Sequence, residues 1–135
     1  MEIFDGFISA IAGEFKIRFH KDEKGNYTTN IEFENNRSQE ILIMLSKDEA
    51  GDRIINYYSI IGKIKRDLCE LYKFSLQQNS ALDYGSIALL NDTLILRGSM
   101  MLDDDCNPRQ FMKSLIYIAA KADELEELFV KEKIY

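Results

Sequence analysis

The sequence predicts an α+β domain: an antiparallel twisted sheet with three helices, in the order α-β-β-β-α-β-β-α. Apolar residues recur at helical spacing near both ends of the chain and once in its middle. Between these segments lie runs that alternate apolar and polar residues, or are rich in β-branched and aromatic residues, separated by short polar turns. Helices segregated from antiparallel strands in this way are typical of α+β folds. The single proline and the lack of a Gly/Ser-rich stretch predict one domain over residues 1–135.

The first helix and the first strand are predicted at the start of the chain. Met1–Phe15 is predicted as a helix because apolar residues recur at i, i+4 and i+8, and Gly13 is able to stop it. Lys16–His20 then alternates, with Ile17 and Phe19 on one side and basic side chains on the other. This period of two predicts a strand.

Two or three further strands are predicted before the second helix. Tyr27–Glu34 alternates, and Ile41–Leu45 is a short apolar run bounded by polar residues, as in a buried strand. Arg53–Ile61 is rich in β-branched and aromatic residues, which favour strands. Because side chains alternate between the two faces of a strand, the adjacent Tyr57 and Tyr58 imply that one tyrosine faces away from the core.

The second half of the chain predicts a helix and then a hairpin. Arg66–Gln78 has an apolar stripe at helical spacing. Ser86–Leu90 and Thr93–Met101 flank the two-residue turn Asn91–Asp92, and both turn residues tolerate the positive φ that such turns require.

The last helix has the clearest start signal in the sequence. Asn107 is a good N-cap, Pro108 occupies the first helical position, and Gln110 occupies the third, as in a capping box. The apolar stripe that follows predicts the helix that fills the core. Its members are Phe111, Leu115, Ile118, Ala122, Leu125 and Phe129, widened by Met112, Ile116 and Ala119.

Charge and composition exclude several classes of function. The chain has 17 basic and 23 acidic residues, a net charge of −6, which argues against nucleic acid or an anionic membrane as the partner. No apolar run approaches the roughly 18 residues of a membrane span, and the acidic N-terminus does not resemble a signal peptide. Cys69 and Cys106 fit no metal-binding spacing, so we expect two free, buried thiols in a reducing cytosol.

The candidate catalytic and metal-binding residues are better explained as surface residues. His20 is the only histidine, and it falls on the polar side of the alternating segment, which predicts a solvated side chain. Asp103, Asp105 and Asn107 could occupy the first three ligand positions of a calcium loop. Pro108 then stands where that loop needs glycine, and Ser114 where it needs glutamate. We therefore expect no cofactor, no tightly bound metal and no enzymatic activity.

Apolar surface in excess of one core predicts a protein-binding function. The first helix has two adjacent apolar rows, and the second helix carries apolar residues on more than one face. A domain of this size is not expected to bury all of them, and exposed apolar patches mark interfaces.

The pattern resembles the class I chaperones of bacterial type III secretion systems, the Tir-chaperone-like family. The resemblance rests on Leu82–Leu96, with its glycine, apolar strand, turn and second strand, and on Ile60–Gly62. An acidic turn at Asp103–Asp105 and a final helix containing Ala122–Leu125 are also similar to the family. The resemblance implies a cytoplasmic bacterial homodimer that holds the N-terminal region of a secreted effector in extended form, without ATP.

Two sets of site residues follow from this interpretation. We expect the effector to lie across the first helix and the early strands, at one end of the sheet, where an extended chain could add a strand. The candidate effector-binding residues are Phe4, Phe7, Ile17, Phe19, Ile31, Phe33 and Ile43. The candidate dimer contacts, on the second helix, are Leu68, Leu71, Tyr72 and Leu76. Two alternatives remain open: an adaptor domain of the same fold without a secretion role, and a small enzyme that uses His20 or Cys69.

Overall fold

The computed structural model describes residues 2–66 and 69–131, with the backbone alone at 2 and 131. Within these ranges it contains three helices and six strands. They are α1 (Glu2–Phe15), β1 (His20–Lys21), β2 (Tyr27–Glu32), β3 (Ser38–Lys47), β4 (Arg53–Lys63), α2 (Cys69–Asn79), β5 (Ser86–Leu90), β6 (Thr93–Met101) and α3 (Pro108–Lys131). The predicted α+β class is confirmed, with four strands before α2 instead of three.

The six strands form one antiparallel sheet in the order β1-β2-β3-β4-β6-β5. The β5–β6 hairpin has the predicted bounds, and Asn91 in its turn has a φ of 56°. Helix α3 also begins as predicted, since the amide N–H of Arg109 donates to Asn107 Oδ1 at 2.8 Å. Both elements were therefore predicted correctly from signals that lie within a few residues of each other.

The core lies between the sheet and the helices α1 and α3. Helix α3 packs against β3, β4 and β6, and α1 packs beside it, with the rings of Phe7 and Phe111 5.4 Å apart. From β4, Ile55, Tyr57 and Ile61 point into this core. The predicted stripe of α3 is buried throughout except for Ile116, which is 47% exposed. The expectation that Ile116 widens the core face is therefore wrong.

The opposite face of the sheet, here called the outer face, is covered by none of the described helices. Tyr58 and Ile60 of β4 point to it, beside Leu42 and Met44 of β3. All four side chains are at least partly exposed, whereas Tyr57 is buried. The prediction that one of the two adjacent tyrosines faces away from the core is thus confirmed.

Helix α1 ends at Phe15, the last residue of the predicted segment, whereas the strand that follows differs from the sequence prediction. Helix α1 continues past Gly13 to Phe15 and ends where Lys16 takes a φ of 53°, with the N–H of Ile17 donating to the carbonyl of Ala12. This six-to-one bond is the Schellman stop, which requires one residue in the left-handed region. The observed strand, His20–Lys21, shares only His20 with the predicted strand Lys16–His20.

Two side-chain clusters fix the β2–β3 hairpin to the helices. The Arg37 guanidinium, in the turn after β2, pairs with Asp123 at 2.7 Å and also contacts Glu127 on α3. The Tyr27 hydroxyl donates to Asp5 Oδ1 of α1 at 2.6 Å. This bond lowers the pKa of Asp5, while burial and the carboxylate together raise the pKa of Tyr27 to about 12. The hairpin is therefore held against both helices of the core.

Candidate protein-binding surfaces

The outer edge of β2 is paired over only two residues. Strand β1 pairs His20 with Thr28 and Lys21 with Tyr27, and no described strand continues along β2 beyond Thr28. The reason lies in the side chain of Thr29, whose hydroxyl donates to the carbonyl of Arg18 at 2.7 Å. That carbonyl therefore bonds a side chain instead of the backbone of β2. Residues 16–19 consequently run beside β2 without joining the sheet.

Two residues of β2 direct their backbone groups towards this open edge. The N–H of Phe33 donates to the carbonyl of Arg37 across the β2–β3 turn at 2.8 Å. In an antiparallel pair, residues alternate between those that bond the neighbouring strand and those that point away from it. Counting back from Phe33, Asn30 and Glu32 point away from β3, as does Thr28, which pairs with β1. Asn30 and Glu32 thus present backbone donors and acceptors that an extended chain could satisfy.

A groove of about 630 Å³ lies next to this edge. Its apolar lining comes from Phe15 at the end of α1, Ile17 just after it, Ile31 of β2, and Met112 and Ile116 of α3. Its charged lining is divided: Lys16 and Arg18 lie on the segment after α1, and Glu32 and Glu40 lie on the strands. An open strand edge and an apolar groove therefore occur side by side, which is the arrangement that strand addition uses.

At the opposite edge of the sheet, a side chain bonds the backbone of β5 at Ile87. The amide N–H of Ile87 on β5 donates to Asn79 Oδ1 at 2.6 Å, and Asn79 Nδ2 donates back to the carbonyl of Ile87 at 3.4 Å. The side-chain amide of Asn79, at the end of α2, thus takes the place of a neighbouring strand. Asn79 is partly buried, and α2, of which it is the last residue, packs against β5.

The predicted effector-binding residues separate into two groups. Phe4 is 2% exposed, Ile43 is fully buried and Ile31 is 8% exposed, so all three belong to the core. The expectation that Phe4 and Ile43 contact a partner is therefore corrected, because their side chains are already packed inside. Ile31 is also a core residue, although its edge lines the groove. Four residues are partly exposed and pack on the core from its border: Phe7, Ile17, Phe19 and Phe33.

The predicted dimer residues also separate. Leu71 is fully buried in the core of its own chain, so it is not an interface residue. Tyr72 is partly buried against the core, and Leu76 is 70% exposed. Leu68 lies outside the described residues. Helix α2 therefore uses Leu71 to pack on the domain and keeps Leu76 on its free side, and Phe74 packs edge-on against Phe129 of α3 at 5.2 Å.

Sequence reasoning missed three features of these surfaces. Ile116 was placed in the core stripe, since its apolar character gives no sign that it borders a groove. The outward direction of Asn30 and Glu32 depends on register, which one isolated strand does not reveal. For the role of Asn79, the sequence offered one signal: a polar residue of this type at the end of a helix can bond nearby backbone groups.

The residues considered for chemistry are distributed over different parts of the fold: His20 is on β1, Cys69 begins α2, and Cys106 precedes α3. His20 is exposed, as predicted for a solvated surface residue. Both cysteines are free, but Cys69 is exposed, which corrects the expectation of two buried thiols; burial raises the pKa of Cys106. In the described part of the chain, no group of three His, Cys, Asp or Glu side chains could hold a metal ion. None of the described helices has both the length and the apolar character of a membrane span.

Comparison with known proteins supports the fold. No family model matches the chain, and no curated protein matches it in sequence. Among solved structures, it is similar to a chain of the HopA1–SchA chaperone–effector complex, with a TM-score of 0.60 and 12% identity. The similarity covers 93% of this chain and 94% of that chain. The two chains therefore share their fold over almost their whole length. At this identity the likeness concerns the fold alone.

Proposed function

We propose that this protein is a non-enzymatic secretion chaperone of the bacterial cytoplasm. It binds the N-terminal region of a type III secreted effector in extended form and keeps it soluble and competent for secretion. The observation that carries the proposal is the open edge of β2 beside the apolar groove. The likeness to a chain from a chaperone–effector complex supports it at the level of the fold.

The binding mode follows from the geometry of the edge. An extended effector segment adds a strand beside β2 and satisfies the backbone groups of Asn30 and Glu32. Successive side chains of such a strand point to opposite sides, so every second residue enters the groove. There it contacts Ile17, Ile31 and Ile116, three apolar side chains that border the groove. The interaction requires no ATP and no catalytic group, because the bound segment is favoured over self-association of the effector.

The same proposal includes a homodimer. Leu76 is exposed, and the outer face of the sheet carries apolar residues that are at least partly exposed, among them Ile60. A specific interface typically buries roughly 800 Å² on each partner, which a single leucine does not supply. We therefore assign the dimer contact to Leu76 together with the exposed apolar residues of β5, Leu89 and Leu90. A dimer also doubles the number of effector grooves on one particle.

The decisive experiment replaces one backbone N–H at the open edge. Proline removes the N–H of its residue, and edge strands tolerate it where that N–H faces solvent. In Asn30→Pro the lost N–H points away from β3, so we expect a melting temperature close to wild type. Co-purification from the native host with mass spectrometry should then find the effector on the wild-type chaperone and not on this variant.

Two matched variants make the result interpretable. Asn30→Ala removes the side chain and keeps the N–H, so it should retain the effector. Ile31→Pro removes an N–H that pairs with β3 and should unfold the domain. If folded Asn30→Pro still carries the effector through its N-terminal region, strand addition at β2 is wrong. If the wild-type protein carries no secreted protein, the chaperone function is wrong.

A further inference from the structure

The charged residues beside the β2 groove lie on different faces of the sheet. The buried residues of β2 are its odd-numbered ones, which face the helices, so Asn30 and Glu32 point to the outer face. In the register with β3, Asn30 pairs with Glu40 and Glu32 pairs with Ser38. Glu32 and Glu40 are therefore diagonal neighbours on the outer face, and Glu32 lies directly at the open edge.

Both of these carboxylates lack a cationic partner. Within the part of the chain that the structure describes, neither Glu32 nor Glu40 forms an ion pair. Arg37, in the turn after β2, is turned towards α3, where it pairs with Asp123. Because neighbouring carboxylates repel each other, a cation placed beside them is favoured over an anion.

The cations of the groove come from the other side of β2. Lys16 and Arg18 belong to the segment after α1 and line the groove. The carbonyl of Arg18 accepts its hydrogen bond from Thr29, whose side chain is buried on the helix-covered face, and Ile17 between the two cations packs on the core. The groove therefore has positive charge on its helix side and negative charge on the outer face.

The open edge is short, and this limits how an added strand can pair with it. Strand β1 already pairs with Tyr27 and Thr28, and β2 ends at Glu32. An added strand can thus use only the outward backbone groups of Asn30 and Glu32. In an antiparallel strand, the residues opposite these two point to the outer face, and the residue between them enters the groove opposite Ile31.

We propose that the segment bound at this edge carries a lysine or arginine on the outer face, opposite Glu32, between apolar residues that enter the groove. The inference rests on the proposed strand addition and names the chemistry that the site selects. Glu32 and Glu40 attract the basic side chain on the outer face, whereas Lys16 and Arg18 repel it when it is turned inward. The charges therefore select both the composition of the segment and which of its faces enters the groove.

The test uses two eight-residue peptides of alternating valine and threonine, blocked at both ends, with one central threonine replaced by lysine or by glutamate. Each peptide is titrated into the full-length ¹⁵N-labelled protein, and both should shift the amide resonances of Asn30 and Glu32. The lysine peptide should bind about five times more tightly, because it gains an opposite-charge pair across the strands where the glutamate peptide gains a like-charge pair.

Charge-reversal variants identify the source of this preference. Glu32→Lys changes an exposed side chain and keeps the backbone, so it should remain folded and prefer the glutamate peptide, as measured at Asn30. Glu40→Lys, one strand further from the segment, should reduce the preference for lysine. Glu49→Lys is the matched control, because it changes the net charge equally at an exposed position in the turn between β3 and β4. It should keep the wild-type preference.

The outcomes separate this proposal from strand addition itself. The proposal is overturned if both peptides shift Asn30 and Glu32 with equal affinity, if Glu32→Lys still prefers the lysine peptide, or if Glu49→Lys changes the preference as much as Glu32→Lys does. Each of these results would leave strand addition at β2 in place, since the peptides would still pair with the edge. If neither peptide shifts these two amides, strand addition at this edge is wrong, and the proposal is wrong with it.

Discussion

The two sides of the sheet, at β5 and along β2 beyond the short strand β1, leave their backbone groups in opposite states. At β5, the side-chain amide of Asn79 bonds both the N–H and the carbonyl of Ile87, and helix α2 lies beside the strand. At β2, the neighbouring chain is diverted by the hydroxyl of Thr29, and the groups of Asn30 and Glu32 stay open. In both cases the hydrogen bonds of one side chain determine whether the edge is closed or available.

This difference distinguishes an edge that the domain protects from an edge that it leaves available for binding. An exposed strand edge is a template for pairing with other chains, and proteins usually block it. The domain blocks β5 with its own helix, yet leaves β2 open where a groove supplies apolar contacts for a specific segment. The edge that stays open is therefore the one where the apolar side chains of the groove can select which segment pairs with it.

The largest effect is expected from loss of the helix that closes the β5 edge. Leu71 anchors α2 and is fully buried, so Leu71→Asp should destabilise the domain by on the order of 3–5 kcal/mol in urea denaturation. Leu76→Asp on the same helix is the matched control, because Leu76 is 70% exposed. It should keep the wild-type urea midpoint and give a monomer in sedimentation. A stable Leu71→Asp protein would show that α2 does not hold this edge.

An intermediate effect is expected from removing the side chain that replaces a strand. Asn79→Leu leaves the N–H of Ile87 without its partner, which should cost about 1–3 kcal/mol. The newly opened edge should also produce concentration-dependent association in size-exclusion chromatography. Asn79→Asp keeps an oxygen for the N–H of Ile87 and should lose less stability. If the leucine variant remains as stable as wild type and does not associate, Asn79 does not protect the edge.

Elements were predicted well from the sequence where residues within a few positions determine them. They were predicted poorly where a side chain far away in the sequence determines them. The Asn107 cap and the hairpin around Asn91 were found with their correct bounds because their signals lie within a few residues. The predicted strand Lys16–His20 was too long, because the hydroxyl that diverts Arg18 belongs to a residue 11 positions away. The burial of Phe4 and Ile43 was not predicted for a related reason. The spacing of apolar residues along a helix or strand shows which residues share a face, but it does not show whether another element covers that face.

The smallest effect is expected at the hydrogen bond that keeps the β2 edge open. Thr29→Val preserves the shape of this buried side chain and removes the donor to the Arg18 carbonyl, at a cost of about 0.5–1.5 kcal/mol. Without that bond, residues 16–19 should lose their fixed path beside the groove. Hydrogen exchange at the amide of His20, which pairs with Thr28 next to this segment, should become faster, and effector affinity should fall. Thr29→Ser keeps the hydroxyl and should match wild type in both measurements. Equal exchange rates in the valine and serine variants would mean that the hydroxyl does not set the path of this segment, and the open edge would then need another cause.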